Sequence, residues 1–466
     1  MVFSSSVFLI FFLPVVVTGY YLPFIRGRRY KNVFLLVASL LFYAYGEPVY
    51  VSVLLFSIVF NWFAGRLIGR AEQSAPKRKF VLVLGVFVDL LFLFCFKYLN
   101  FTIWNLNHVF GLQIPGTGLT LPIGISFYTF QAISYLADIY TGKAGAQKSV
   151  LDVGVYIALF PQLVAGPIVR YDTIAREIHE RRENWHDAYE GIHRFIVGIG
   201  KKILLADQLA ILADRTYTLP VTELSAAMAW LGAGAYTLQI YFDFSAYSDM
   251  AIGLGRIFGF HFMENFNYPY VSKTITEFWR RWHISLGSWF RDYVYIPLGG
   301  NRRGKWVQLR NLLIVWGLTG LWHGANWTFL LWGLLQFLVL TAEKMTGYAG
   351  KANCFGRLYV IPVILIGWSL FRAESVSGAL SYVCAMFGGS GIFADRMALD
   401  YGLNFFAWLV LGLWFSVPHK RIRQLISRLP AKISIPAAEV LYAMVLIVSF
   451  AYIIRASYSP FIYFNF

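Results

Sequence analysis

Two histidines stand where imidazole chemistry would be useful. His323 sits in the middle of an otherwise apolar run, "VWGLTGLWHGANWTFLLWGLLQFLVL" (315–340), flanked by Trp322, Gly324 and Asn326. Ionisable groups in such runs are expensive and mark function more often than those in water do. Burial keeps an imidazole neutral, and a neutral imidazole is a general base near neutral pH. The plainer reading is a core histidine with its hydrogen bonds met. Gly317, Gly320 and Gly324 would let another element approach the backbone, and Gly320 with Gly324 is a GxxxG pair of the kind that packs helices. The second histidine, His283, lies in "TEFWRRWHISLGSWFRDYVYIPLGGNRRGK" (276–305). Phe278, Trp282, Trp289 and Tyr293 are spaced to share one helical face. Arg280, Arg281 and Arg291 surround that face, and Arg302, Arg303 and Lys305 follow it. An amphipathic helix lying in a membrane interface accounts for this pattern but leaves His283 unexplained. A basic, aromatic surface also suits a polyanionic, nucleotide-bearing ligand, with Arg280, Arg281, Trp282 and Arg291 as its contacts.

A third polar stretch, 236–270, carries Asp243 and Asp249 inside an apolar segment, where pairing with arginines would make them structural. Its "GLGRIFGF" lacks the βαβ context of a phosphate-binding loop. No HExxH, GxSxG or P-loop motif occurs, and three cysteines without paired spacing give neither a thiolate metal cage nor a disulfide framework.

The elements that must hold these groups are membrane helices. Of the 466 residues, 58% are hydrophobic and only 14% charged, against about 25% charged in soluble domains. Apolar windows of spanning length recur from end to end, and the ten-residue alternation of a membrane β-barrel is absent. The formal charge of +16 accompanies 18% aromatic residues; basic cytoplasmic loops and interfacial aromatic belts explain that balance better than a nucleic-acid surface. The first twenty residues lack a basic n-region and read as a retained helix rather than a signal peptide.

Charge sets the expected topology. The loop with Arg26, Arg28, Arg29 and Lys31 and the stretch from Arg66 to Lys79 are basic and so cytoplasmic. They enclose a hairpin over 33–64 that turns outside near Gly46. Residues 80–99 then cross outward, and Asn100 to Gly118, without Lys or Arg, reads as an external loop. Residues 119–140 and 153–169 carry Pro and Gly inside apolar runs, as broken helices lining a wet cavity do; a simple kink would look the same. Residues 170–202 read as an amphipathic intracellular connection. After the basic loop His419 to Lys432, residues 436–454 cross outward and deliver the tail "RASYSPFIYFNF" (455–466) outside. The expectation is an all-α polytopic integral membrane protein of about eleven transmembrane helices plus re-entrant or interfacial helices, in one domain over 1–466.

With these stretches read, the chain resembles the membrane-bound O-acyltransferase family, and within it the bacterial alginate O-acetyltransferase-like branch that acetylates exopolysaccharides. The resemblance runs nearly end to end, through "LPIGISFYTFQAISY", "FPQLVAGPIVR", "QIYFDFSAYSDMAIGLG", "ENFNYPY", "ITEFWRRWHISLGSWFRDYVYIPLGGNR" and "GLWHGANW". It implies a ring-like helical body with a central tunnel in the bacterial inner membrane. It places the family's buried active-site histidine at His323 and its second histidine at His283. It also implies acetyl-CoA as donor on the cytoplasmic side, with no bound metal, and an SGNH-type acetyltransferase partner outside the membrane that modifies the polysaccharide. Alginate, cellulose and peptidoglycan acetylation and teichoic acid alanylation share these motifs.

On this reading His323 takes the proton of an acceptor hydroxyl, while Asn326 and His283 are candidate donors to the developing oxyanion. A hydroxyl on the chain itself would suit a narrow mid-membrane tunnel. Tyr463, in a C-terminal "FIYFNF" that resembles the branch's aromatic acyl-carrier motif, supplies one; an interfacial aromatic anchor is the competing role. The rival classes are a transporter or flippase, which would share broken helices and midplane charges, a long-chain acyltransferase of the same superfamily, and a non-catalytic scaffold.

Overall fold

A computed structural model describes residues 1–22, 27–70, 74–350 and 354–455, and every regular element among them is a helix. The chain forms two units: Met1–Phe195 with Ser248–Met263, and Ile196–Tyr247 with Glu264–Phe466.

In the first unit the expected hairpin is present as the helices Arg28–Gly46 and Val51–Ile68. The next helix departs from expectation. It does not stop near residue 99 but runs through one π-turn as a 36-residue element, Ala75–Phe110, ended by Gly111 in the left-handed region (φ +66°). The polar residues that read as a loop are absorbed by the helix itself: Thr102 Oγ1 donates to the Tyr98 carbonyl (2.9 Å) and Asn105 Nδ2 to that of Phe101 (2.7 Å). Such bonding back to the preceding turn satisfies a short polar side chain inside a helix. The interrupted runs are interrupted: Gly124 (φ +78°) precedes Ile125–Thr141, and Val150–Ala158 breaks at Leu159 before the one-turn helix Phe160–Leu163. The charged connection holds an ionic knot. Arg28 pairs with Glu183 (2.6 Å), Tyr20 also donates to Glu183, and Arg181, fully buried, donates to the Phe258 carbonyl (3.1 Å). Asp249 pairs with Arg194 (2.8 Å), as expected for a structural carboxylate.

In the second unit Lys202, buried, sits between Asp243 (2.7 Å) and Asp207 (2.9 Å). Asp243 is therefore also half of an ion pair, with a lysine. The helices Lys305–His323 and Trp327–Met345 form a tight hairpin. Glycine makes it possible: a Cβ on Gly320 would lie 2.5 Å from the Phe329 carbonyl oxygen, and one on Gly333 2.5 Å from that of Trp316. Gly317, by contrast, faces open space.

Among the described residues four helices are long and apolar enough to cross a membrane: Val51–Ile68, Ala75–Phe110, Trp327–Met345 and Ala431–Arg455. A bent pair, Arg396–Asn404 and Phe406–Phe415, broken by 61°, would make a fifth. This criterion does not return eleven. Helices of spanning length such as Arg28–Gly46 and Lys305–His323 carry cations in their first turns, and other apolar stretches are cut by the breaks described above.

Candidate active site

The single helix expected over the second histidine is instead two. Ile275–Arg281 ends, Trp282 is extended, and His283 takes a left-handed conformation (φ +46°) before Ile284–Phe290 begins. A non-glycine residue in that region is uncommon and is held by its surroundings. What holds it is Asn265. The Asn265 backbone carbonyl accepts from Ile284 N (3.0 Å), and its side-chain Oδ1 accepts from Ser285 N (3.1 Å), Ser285 Oγ (2.9 Å) and His283 Nδ1 (3.1 Å). The backbone N–H of Ser285 can only donate, so Oδ1 is an acceptor and His283 must carry its proton on Nδ1. The lone pair then lies on Nε2. Burial pushes the His283 imidazole down from its ordinary value, so the ring is neutral at pH 7. Phe278, Trp282 and Trp289 are buried rather than interfacial.

The first of the two short helices is anchored at its start. Thr274 caps it through Glu277 N (2.9 Å), and the buried Glu343 carboxylate accepts from Ile275 N, Thr276 N (2.8 Å), Thr276 Oγ1 (2.6 Å) and the Tyr359 hydroxyl. These contacts fix the register of Trp279 and Arg280.

His323 is the last residue of Lys305–His323, at the tip of the hairpin. It is buried at 4% exposure in an aromatic cage, edge-on to Trp332 (5.2 Å between ring centroids) and Phe371 (5.0 Å) and beside Trp322 (5.0 Å). Trp322 in turn contacts the His283 ring (6.0 Å).

Both histidines line one cavity of about 540 Å³. The Lys305–His323 helix contributes a single stripe to it, Leu312, Val315, Trp316, Thr319 and His323, at the three- and four-residue steps of one helical face. Three cations, Arg280, Arg291 and Lys344, line the same cavity, and Arg291 is steadied by Asp292 (2.7 Å). Trp282 lines it as well. Arg281 does not; its guanidinium bonds Glu277 (3.0 Å) and the Asn267 carbonyl (3.0 Å). Asn326 does not either. Its Oδ1 caps Trp327–Met345 through Thr328 N (3.1 Å) and its Nδ2 donates to the Glu374 carbonyl (2.8 Å), so the amide is committed to the hairpin turn. Tyr463 lies outside the described residues. Lys344, Thr319 and the positioning residue Asn265 were not singled out from sequence. The stripe spacing would have found Thr319; Asn265 carries no local signal, since it acts 18 residues away.

A pair of buried histidines with a cationic flank in one apolar cavity fits acyl transfer from an anionic carrier. The comparison with known sequences decides the class. Residues 144–377 match the membrane-bound O-acyltransferase family, a stretch that includes both histidines. The chain belongs to this family. It is a multi-pass helical membrane enzyme, an O-acyltransferase of the alginate O-acetylase-like branch. It is 47% identical over 429 residues to the probable alginate O-acetylase of Pseudomonas aeruginosa, covering 89% of this chain and 81% of the relative. It is 34% identical to the peptidoglycan O-acetyltransferase of Helicobacter pylori (84% and 81% covered) and 28% identical to the teichoic acid D-alanyltransferase of Bacillus subtilis (73% and 87%). Among the described residues no cluster of His, Cys, Asp and Glu is arranged to hold a metal ion.

Proposed function

We propose that this enzyme moves acetyl groups from cytoplasmic acetyl-CoA through the bacterial inner membrane for O-acetylation of an extracytoplasmic, alginate-type exopolysaccharide. The observation that carries the reading is the shared cavity: two histidines and three cations around one apolar space. The cations suit the phosphates of coenzyme A, and the apolar wall suits its pantetheine arm and a thioester kept from water. His323 takes the proton of the acceptor hydroxyl as the oxygen attacks the thioester carbonyl. The C–O bond forms, the C–S bond breaks, and the imidazolium returns the proton to the leaving thiolate. A positioned base contributes about 10²–10⁴-fold. His283, with its lone pair on Nε2, is an acceptor and not an oxyanion donor; it takes a hydrogen bond from a pantetheine amide N–H and so positions the donor.

The alginate assignment is supported by the 43–47% identity to five alginate O-acetylases, above the 34% to the peptidoglycan enzyme. Tyr463 is the acceptor within the chain, carrying the acetyl group as an ester to an SGNH-type acetyltransferase on the outer face, with the C-terminus outside. Acetyl-CoA labelled in the acetyl group tests both parts. Purified enzyme becomes labelled, and Tyr463→Phe, which loses only the hydroxyl, does not. Undiminished labelling of Tyr463→Phe would remove the carrier role, and absence of any transfer from acetyl-CoA would remove the donor.

A further inference from the structure

The cavity reaches the His323 ring, and aromatic rings are packed against that ring. Along the Lys305–His323 helix the last lining residue is His323; along Trp327–Met345 only Leu340 and Lys344, near its far end, reach the space. No residue from 324 to 339, and none of the Arg357–Arg372 helix, lines it. The reason is what stands behind the His323 ring. Phe371 and Trp332 both meet it edge-on, and they pack on each other at 5.4 Å. Phe329 (4.9 Å) and Trp368 (5.5 Å) support Phe371 from its other sides. Phe371 and Trp332 are each 1% exposed, and packed interiors of this kind yield little to an intruding methylene.

We propose that Phe371, backed by Trp332, is the acyl-length stop of this enzyme. This rests on the reading of the cavity as the site of an acyl thioester. A thioester whose carbonyl lies at His323 directs a longer acyl chain past the imidazole, toward the rings packed against it. An acetyl methyl fits against them, and each further methylene must displace an aromatic side chain fixed on three sides. Discrimination against one extra methylene in a rigid apolar pocket amounts to roughly 10–200-fold. Short-acyl selectivity is thereby set by the Arg357–Arg372 helix, which contributes nothing to the cavity wall itself.

The test compares acetyl-, propionyl-, butyryl- and hexanoyl-CoA as donors for the wild-type enzyme and for Phe371→Leu and Phe371→Ala. In the wild type kcat/KM should fall at least about tenfold for each of the first added methylenes. In the variants the butyryl-to-acetyl ratio of kcat/KM should rise about tenfold or more, further for Ala than for Leu. Phe371→Leu keeps most of the packed volume and carries the test if the alanine variant does not fold. A folded Phe371→Leu with the wild-type ratio overturns the proposal. So does a wild-type enzyme that uses hexanoyl-CoA as readily as acetyl-CoA, which needs no variant at all. Failure of the wild type with every acyl-CoA would instead indict the thioester reading of the cavity.

Discussion

Replacing Asn265 with Leu separates positioning from chemistry at the second histidine. The side chain is 1% exposed and its Oδ1 accepts from His283 Nδ1, Ser285 N and Ser285 Oγ. Leucine matches the shape and removes the acceptor. The serine hydroxyl can rotate to another partner, but the Ser285 N–H and the imidazole N–H are fixed. Stranding a buried donor costs about 1–3 kcal/mol; the imidazole N–H can still reach Ser285 Oγ (3.4 Å), so Asn265→Leu should lose on the order of 1–3 kcal/mol of stability. The functional effect follows from the tautomer. With Asn265 gone, Nδ1 keeps only the longer contact to Ser285 Oγ (3.4 Å), so the preference for a proton on Nδ1 weakens and the cavity loses part of its Nε2 lone pair. One hydrogen bond to bound donor is worth a net of about 0.5–1.5 kcal/mol, which is roughly a 2- to 12-fold rise in KM for acetyl-CoA. Because His323 is untouched, kcat should change by less than KM. Asn265→Asp keeps the acceptor and should restore the wild-type KM while remaining less stable, since it buries a carboxylate. The assay is initial-rate acetyl transfer in detergent at varied acetyl-CoA, paired with thermal unfolding. A folded Asn265→Leu whose kcat drops a hundredfold at unchanged KM would refute this division of labour. So would Asn265→Asp behaving like the leucine variant in KM.

Further outcomes test the frame around the site. Gly320→Val should destabilise by about 1–3 kcal/mol through overpacking, because its Cβ would meet the Phe329 carbonyl at 2.5 Å. Gly317→Ala, three residues away with nothing within 4 Å, should be neutral or gain up to about 1 kcal/mol from helix propensity; equal melting temperatures for the two would count against the hairpin geometry. Glu183 supplies a pH dependence. Its burial raises the carboxyl, but the bonds from Arg28 and Tyr20 outweigh that and hold it down at about 2, against an ordinary value of 4.5. A depressed carboxylate stabilises fully above the unfolded value and loses that contribution as pH falls through the folded one. Up to on the order of 3 kcal/mol, less what solvent screening of the partly exposed knot removes, should therefore disappear between about pH 4.5 and 2. Glu183→Gln should melt at a lower temperature near neutral pH and lose less on acidification than the wild type, and an unchanged acid profile would show the knot to be unimportant.

Sequence reasoning reached the two histidines because ionisable groups in apolar runs are costly whatever the fold. It also found the hairpin over 33–64 and the broken backbone of 153–169, whose signals are local. It missed the break at Trp282 and His283 because the two short helices keep the aromatic spacing of one continuous helix, and the cause of the break, Asn265, comes from elsewhere in the chain. The Ala75–Phe110 helix was cut short because the stretch from Asn100 lacks Lys and Arg and so reads as an external loop, although here Thr102 and Asn105 bond back to their own turn. Asn326 was read as part of the chemistry when its position, just before an apolar helical run, is also that of an N-cap. The lining stripe from Leu312 to His323 was visible in the spacing; which face of that helix meets a cavity was not, since packing decides it.

The central claim is that His323 performs chemistry in a cavity that binds the donor without it. The direct measurement is label transfer from acetyl-CoA to acceptor by purified His323→Ala, with donor affinity measured on the same preparation. The expected result is acetyl-CoA binding within a few-fold of wild type and transfer reduced by about 10²–10⁴-fold. Transfer at the wild-type rate by a variant that still binds acetyl-CoA would contradict it.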